Sequence, residues 1–411
     1  MSGIREWIVN RATDLADGGV TCLNGHEYSS IVEMSPFGDT YNLPYDMGVK
    51  IWESLGGLIA WLLSFLPGSD AVSYALISDT ATNAMAIVLM VVLIFAVGFV
   101  TNLTMIWQER KFLGRQMDRR GTMIGPLGYL QCLGDGLKTF MKENVAPRAI
   151  DKKIYWWGVV LVIGTSVLLA CMIPLSPRWF IVDYNTGLLL IFAFFALAPF
   201  LIMCAGWAQN NKYSLIGGLR AAELMISYEV PMLILFAGTV YMTGSFNIGD
   251  IITWQEEHIW LIVPQIIGFF VCLVCAIAES ERVPFDLSEA EAELVEGWQT
   301  EYAGMKWGLI MLGDYFRGFV ACALVNIMFL GGWSMPIINE FDWYYQYFPE
   351  LFFVLKTCFV FIFFITARGA LPRVRTDQIV NVGWKVLMPL AVINLVITIL
   401  IKWIWEYGGV F

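Results

Sequence analysis

The chain has 411 residues, 58% of them hydrophobic and only 15% charged, with a formal net charge of −10 and a mean hydropathy of +0.65. That composition excludes an ordinary soluble domain. Apolar stretches of about 20 residues recur, each long enough to cross a hydrocarbon core of roughly 30 Å as a helix, and a polytopic helical membrane protein is expected.

Residues 1–82 differ from the remainder, mixing Asp14, Asp17, Glu27, Glu33, Asp39 and Asp46 with a turn around Pro36. Arg5 and Glu6 are followed by no clean apolar core, which argues against a cleavable signal. The uncharged run 54–69 would reach only about 24 Å as a helix, so it reads as an interfacial helix on the outer face. Were it to span, the N-terminus would move inside.

Eight spans are then predicted, at 83–107, 154–174, 186–207, 224–243, 260–278, 305–331, 351–367 and 384–405, with a short tail at 406–411. The loop after the first span is rich in Lys and Arg, from Arg110 to Lys153, and those after the third, fifth and seventh add Lys212, Arg220, Arg282, Lys306, Arg368, Arg373, Arg375 and Lys385. These loops hold most of the basic residues, whereas the opposite face carries acids such as Asp250, Glu256, Glu257 and Glu350. The positive-inside rule then puts the basic loops in the cytoplasm and both termini outside. Within the first basic loop, Gly121, Gly125, Pro126, Gly128, Gly134 and Gly136 predict tight turns, and the stretch from Gly128 reads as a short amphipathic helix.

The stretch from Glu279 to Tyr302 is the anomaly. Between two apolar spans it holds Glu279, Glu281, Asp286, Glu289, Glu291, Glu293, Glu296 and Glu301, against the single cation Arg282. In a soluble protein such a run faces water, but beside hydrocarbon ionisable groups are costly and mark proton or ligand paths. Ser288 and Glu291 fit a capping box, predicting a helix on which Glu289, Glu293 and Glu296 share one face. Carboxylates crowded in low dielectric cannot all ionise, so their proton occupancies are coupled. In the other spans, Glu229 reads as a buried relay group, and Asp314 and Arg317 stand three apart and are placed to pair.

The eight cysteines are scattered, and Cys272 and Cys275 are expected to pack within a span rather than bind metal. His26 and His258 lie outside the spans, which argues against a bis-histidine haem. With no phosphate-binding glycine loop either, the chain is expected to carry no redox cofactor, metal or nucleotide of its own, and no nucleic acid.

Four stretches together resemble one family, the quinone-site membrane subunit of respiratory complex I, its subunit 1 or H subunit. They are ERKFLGR at 109–115 with GPLGYLQCLGDGLKTFMKE after it; LRAAELMISYEVP at 219–231; AESERVPFDLSEAEAELVEGWQTEY at 278–302 with GDY at 313–315; and LPRVRTDQIVNVGWKVLMPL at 371–390. The third is the most specific. The resemblance implies an all-α subunit of eight transmembrane helices, residues 83–405, with cytoplasmic amphipathic loops and an N-terminal extension that the family lacks. It implies a chain inactive alone that forms the membrane end of the quinone chamber in a proton-pumping NADH:quinone oxidoreductase. FMN and iron–sulfur clusters would belong to partner subunits, and the partners would be other membrane subunits, the quinone-pocket and iron–sulfur subunits of the peripheral arm, lipid quinone and membrane lipids. The location implied is a prokaryotic plasma membrane or an energy-coupling inner membrane.

Carried over by motif, Arg110, Arg115, Asp135, Lys138, Arg282 and Phe285 would line the chamber. Glu229, Glu279, Asp286, Glu289, Glu291, Glu293, Glu301 and Asp314 would form the proton relay, and Arg368, Arg373, Arg375 and Asp377 would close the last cytoplasmic loop. Departures from the family pattern are RQMDRRGTMIGP after the first motif, Glu223 as an extra acid, and RTDQ in the last loop. The equivalent subunit of an ion-pumping hydrogenase or deazaflavin-linked dehydrogenase is the nearest alternative, and a stand-alone transporter or channel is one of another class.

Overall fold

The structure is a computed structural model that describes residues 79–177, 179, 185–288, 291–335 and 349–407. The predicted interfacial helix at 54–69, nearly all of the N-terminal extension and Glu289 lie outside the described residues. Two compact units divide the chain, 1–96 with 177–183 and 97–176 with 184–411. The second holds everything that follows.

Its long helices are α1 (Asp79–Gln116, which begins in the first unit), α3 (Lys152–Met172), α4 (Gly187–Trp207), α5 (Lys212–Thr243), α7 (Ile266–Glu279), α9 (Met305–Phe329) and α10 (Pro349–Ala370). The last is α11 (Thr376–Val382), which passes through a π turn at Gly383–Leu387 into α12 (Met388–Tyr407). Shorter helices are α2 (Tyr129–Met141), α6 (Ile248–Glu257) and α8 (Glu291–Leu294). Among the described residues there is no strand, and the fold is all-α. Among the described residues six helices are long and apolar enough to cross a membrane: α3, α4, α5, α9, α10 and the α11–α12 rod.

The chain folds back on itself, so that sequence neighbours α3, α4 and α5 pack side by side, while α9 lies against α3, α7 and α10, and α12 against α5 and α7. α9 is the central helix, with 72% of its most apolar window buried against 22–56% for the other five. A knot of Tyr155, Ile202, Ala205, Met225, Trp298 and Ile310 holds α3, α4, α5 and α9 around a turn of the acidic stretch, Gly297–Gln299. Fully burying a large apolar side chain stabilises by about 1.5–3 kcal/mol, so Trp298, 0% exposed, anchors that stretch firmly.

Several elements differ from the sequence reading. α5 begins at Lys212, twelve residues before the predicted span, because Asn211 caps it by accepting from Tyr213 N–H at 3.1 Å. Glu229 is therefore in mid-helix, and Lys212 and Arg220 are on the helix rather than in a loop. α7 is shorter than predicted, starting at Ile266. Gly134 and Gly136 lie inside α2, not in turns, whereas Gly125 (φ +80°) and Gly128 (φ +85°) do turn the chain before it. α8 is a single turn that ends before Glu296, so the predicted three-glutamate face does not form.

Candidate functional site

α1, the loop after α7, α9 and the end of α10 converge on one buried carboxylate, Glu109. Its residue is 5% exposed. Arg282 Nη1 lies 3.2 Å from both of its oxygens, Arg368 pairs with Oε1, and Tyr315 Oη donates to Oε2 at 2.9 Å. The Arg282 guanidinium also covers the Tyr315 ring, 4.2 Å from its centroid. Two guanidiniums thus converge on one carboxylate.

A second cluster is built on the same loop after α7 and on α9. Arg317, 2% exposed, pairs with Asp314 one turn before it on α9 and lies 3.7 Å from Glu281 Oε2. Gln299 Nε2 reaches Asp314 Oδ2 at 3.5 Å, and Ser288 Oγ faces Glu281 Oε1 at 3.5 Å. Glu279, 2% exposed, has one carboxyl oxygen without a hydrogen-bond partner, and Glu229, Arg317 and Glu281 are the charges that act on it. Three carboxylates thus share one guanidinium, with Glu229 beyond them. The adjacent residues Glu281 and Arg282 divide between the two clusters, as do Asp314 and Tyr315.

Glu281 has a left-handed backbone, φ +50°, which costs a non-glycine residue about 1 kcal/mol or more. It ends α7 as a glycine would, its N–H bonding Ala278 O at 3.0 Å. Burial is the main force that pushes its carboxyl from the usual 4.5 up to about 7; Arg317 opposes that rise, while Asp314 and Asp286 add to it.

Around this centre the predicted residues sort as follows. Asp286 Oδ2 pairs with Arg373 at 3.3 Å, and Val374 N–H donates to Pro284 O at 3.2 Å, docking the loop after α10 on the acidic one. Phe285 is buried against Tyr228, ring centroids 5.1 Å apart, and Tyr228 Oη donates to Ile379 O at 3.1 Å. Trp384 Nε1 donates to Ser227 Oγ at 3.2 Å, so the π turn of the last rod abuts α5 two residues from Glu229. Glu301 accepts from Asn211 Nδ2 at 2.9 Å, and its N–H donates to Gln209 Oε1 at 3.2 Å. Arg110 pairs with Asp135, and Lys111 Nζ donates to the carbonyls of Thr122 and Leu127, each at 3.2 Å, fastening α2 to the end of α1.

Other predicted residues stand apart. Arg115, Lys138, Arg375 and Asp377 are exposed. Glu293 is exposed and pairs at 2.8 Å with Arg220 of α5. Glu291 lies on α8. Ser288 faces Glu281 across the loop.

Sequence reasoning did not single out Glu109, Tyr315 or Glu281, which the structure brings into these clusters. Glu109 sits in the first motif, yet at the end of a span it reads as a surface acid. Its burial depends on arginines 173 and 259 residues away, which no local pattern reveals.

These features define a class: an all-α, multi-pass membrane protein with buried, mutually compensating charge clusters at one end of its helices. The family model described as NADH dehydrogenase matches residues 87–399, and the chain belongs to that family, as a membrane subunit of complex I of the subunit 1 or H type.

Proposed function

We infer that this chain forms the membrane end of a quinone-binding chamber in a proton-pumping NADH:quinone oxidoreductase and couples quinone reduction to proton movement. The observation that carries the reading is the pair of clusters built on the same segments, one with the guanidiniums of Arg282 and Arg368 on Glu109, the other with the carboxyls of Glu279, Glu281 and Asp314 around Arg317. A quinone takes up two electrons and two protons to become a quinol. Negative charge arriving near the first cluster is stabilised by its guanidiniums, and it raises the proton affinity of carboxyls beyond them. Because the second cluster has more carboxyls than it can ionise, a small change in field moves a proton among them.

On this reading Arg110, Asp135, Arg282 and Phe285 belong to the chamber and its rim, with Arg115 and Lys138 on the exposed approach. Glu229, Glu279, Asp286, Glu291, Glu293, Glu301 and Asp314 extend from the acidic loop, and Arg368, Arg373, Arg375 and Asp377 close the last cytoplasmic loop over it. Glu281 joins the relay and Glu109 the chamber. The electrons would come from flavin and iron–sulfur subunits of the peripheral arm. The basic loops face the cytoplasm, and both termini lie outside.

The test uses the assembled complex carrying Glu279→Gln or Glu229→Gln. NADH oxidation with a soluble artificial acceptor should persist while quinone-linked turnover and proton pumping fall at least tenfold. Full quinone-linked pumping in both variants would overturn the relay.

A further inference from the structure

The end of α7 remote from the acidic loop starts in an unusual setting. With 14 residues, α7 is about 21 Å long, short of a hydrocarbon core of about 30 Å. Its first turn is therefore embedded rather than at the surface. The turn before it is tied down inside the protein, Leu261 being fully buried and Ile262 N–H donating to Phe329 O at 3.1 Å. The opening amides of a helix have no carbonyl of their own helix to reach, and within hydrocarbon no bulk water takes them. One is capped from another helix: Gly268 N–H donates to Asn394 Oδ1 of α12 at 3.1 Å.

Beside this cap, polar atoms accumulate. Gln265 is 0% exposed, and neither its Nε2 nor its Oε1 has a hydrogen-bond partner; Asn394, 1% exposed, leaves its Nδ2 unpaired. Thr398, also fully buried, gives its hydroxyl proton to Asn394 O at 2.7 Å, so its oxygen still accepts. A Cβ placed on Gly238 of α5 would stand 3.6 Å from Gln265 Nε2, 3.6 Å from Leu395 Cδ1 and 3.8 Å from Thr398 Oγ1. Two polar atoms, one from the residue that opens α7 and one from α12, thus meet beside a glycine that has no side chain, with the Leu395 methyl as the third wall. Each unsatisfied buried polar atom costs about 1–3 kcal/mol, which favours a partner for all three.

We propose that α5, α7 and α12 enclose a water-binding site within the membrane, where ordered water accepts from Gln265 Nε2 and Asn394 Nδ2 and donates to Gln265 Oε1 and Thr398 Oγ1. The wall offers acceptors as well as donors, which suits a dipolar molecule and not an anion, and the number of partners matches the two to four that a buried water makes. The water completes the start of α7 and so fixes the height of the helix whose other end carries Glu279.

Cryo-electron microscopy of the intact assembled complex, at a resolution that reveals water, tests this directly. Expected in the wild type is density within hydrogen-bond reach of both Gln265 and Thr398. Gly238→Ala should displace it, and Thr398→Val, nearly isosteric, should weaken it. A wild-type map in which the Gln265 amide pairs with protein groups and no such density exists would overturn the proposal, as would an anion bound by the amide donors alone. The wild-type map decides the matter even if neither variant assembles, and because it reads density rather than turnover its outcome is independent of the quinone reading.

Discussion

At the scale of single residues, Glu281 and Arg282 are neighbours with opposite assignments, and their difference makes separable predictions. Glu281 has a carboxyl raised from 4.5 to about 7, chiefly by burial. A raised acid stabilises the folded state through its proton: that contribution is whole below about pH 4.5 and is lost as pH rises through about 7. Infrared difference spectra of the assembled complex should therefore show a protonated carboxyl titrating with a midpoint near 7, and Glu281→Gln should remove that band. A band unchanged in the variant would refute the assignment. Glu109 answers to a different force, since it neutralises Arg282 and part of Arg368. Breaking a buried ion pair on one side costs about 3–5 kcal/mol; Arg368 is one-third exposed, which sets the expectation for Glu109→Gln at about 3 kcal/mol. The readout is a lower thermal midpoint of the complex, with Glu109→Asp recovering part of it.

At the scale of elements, the helices were far more legible than the contacts between them. Each of the eight predicted spans has a helix at its place because a run of apolar side chains is a local property, and the amphipathic α2 was readable for the same reason. Helix ends were less so: Asn211 starts α5 well before its apolar run, and α7 starts late because its cap comes from Asn394, 126 residues away. The charge clusters were half legible. Composition marked the acidic loop as anomalous, but the division of Glu281 from Arg282 and of Asp314 from Tyr315 requires the three-dimensional meeting of α1, α7, α9 and α10. One close approach is decisive for the loop: a Cβ on Gly217 of α5 would stand 2.6 Å from Trp298 N and 2.7 Å from the Gly297 backbone. Backbone cannot rotate away, so Gly217→Ala should force the Gly297–Gln299 turn off α5 and cost about 1–3 kcal/mol, as overpacking does. Gly134→Ala on α2, where nothing lies within 4 Å, should instead gain about 0.5–1 kcal/mol from helix propensity. Proteolysis rates within 291–302 and thermal midpoints would show the contrast, and equal effects would discount the packing argument.

At the scale of the whole molecule, the clusters, the basic loops and α2 belong to one end of the bundle, and the acidic turns at α6 to the other. Glu256 on α6, pushed up to about 7 by burial and then by Glu257, shows that a raised acid alone does not single out the charge clusters, which are distinguished by the guanidiniums of Arg282, Arg317 and Arg368. Membrane insertion holds Lys- and Arg-rich loops inside, so the end bearing Arg115 is expected in the cytoplasm and the end bearing Glu257 outside. Both residues are exposed, and each can be replaced by cysteine without touching either cluster. In sealed vesicles of known sidedness, an impermeant thiol reagent should label Arg115→Cys only from the cytoplasmic side and Glu257→Cys only from the other. The native cysteines among the described residues are buried or half-buried, and the unsubstituted chain supplies the background. The reverse pattern would put the acidic loop on the outer face, away from any NADH-oxidising partner, and the coupling proposal would fall with it. Labelling of both positions from one side would contradict the predicted succession of spans, since residues 115 and 257 are separated by three helices long and apolar enough to cross, α3, α4 and α5.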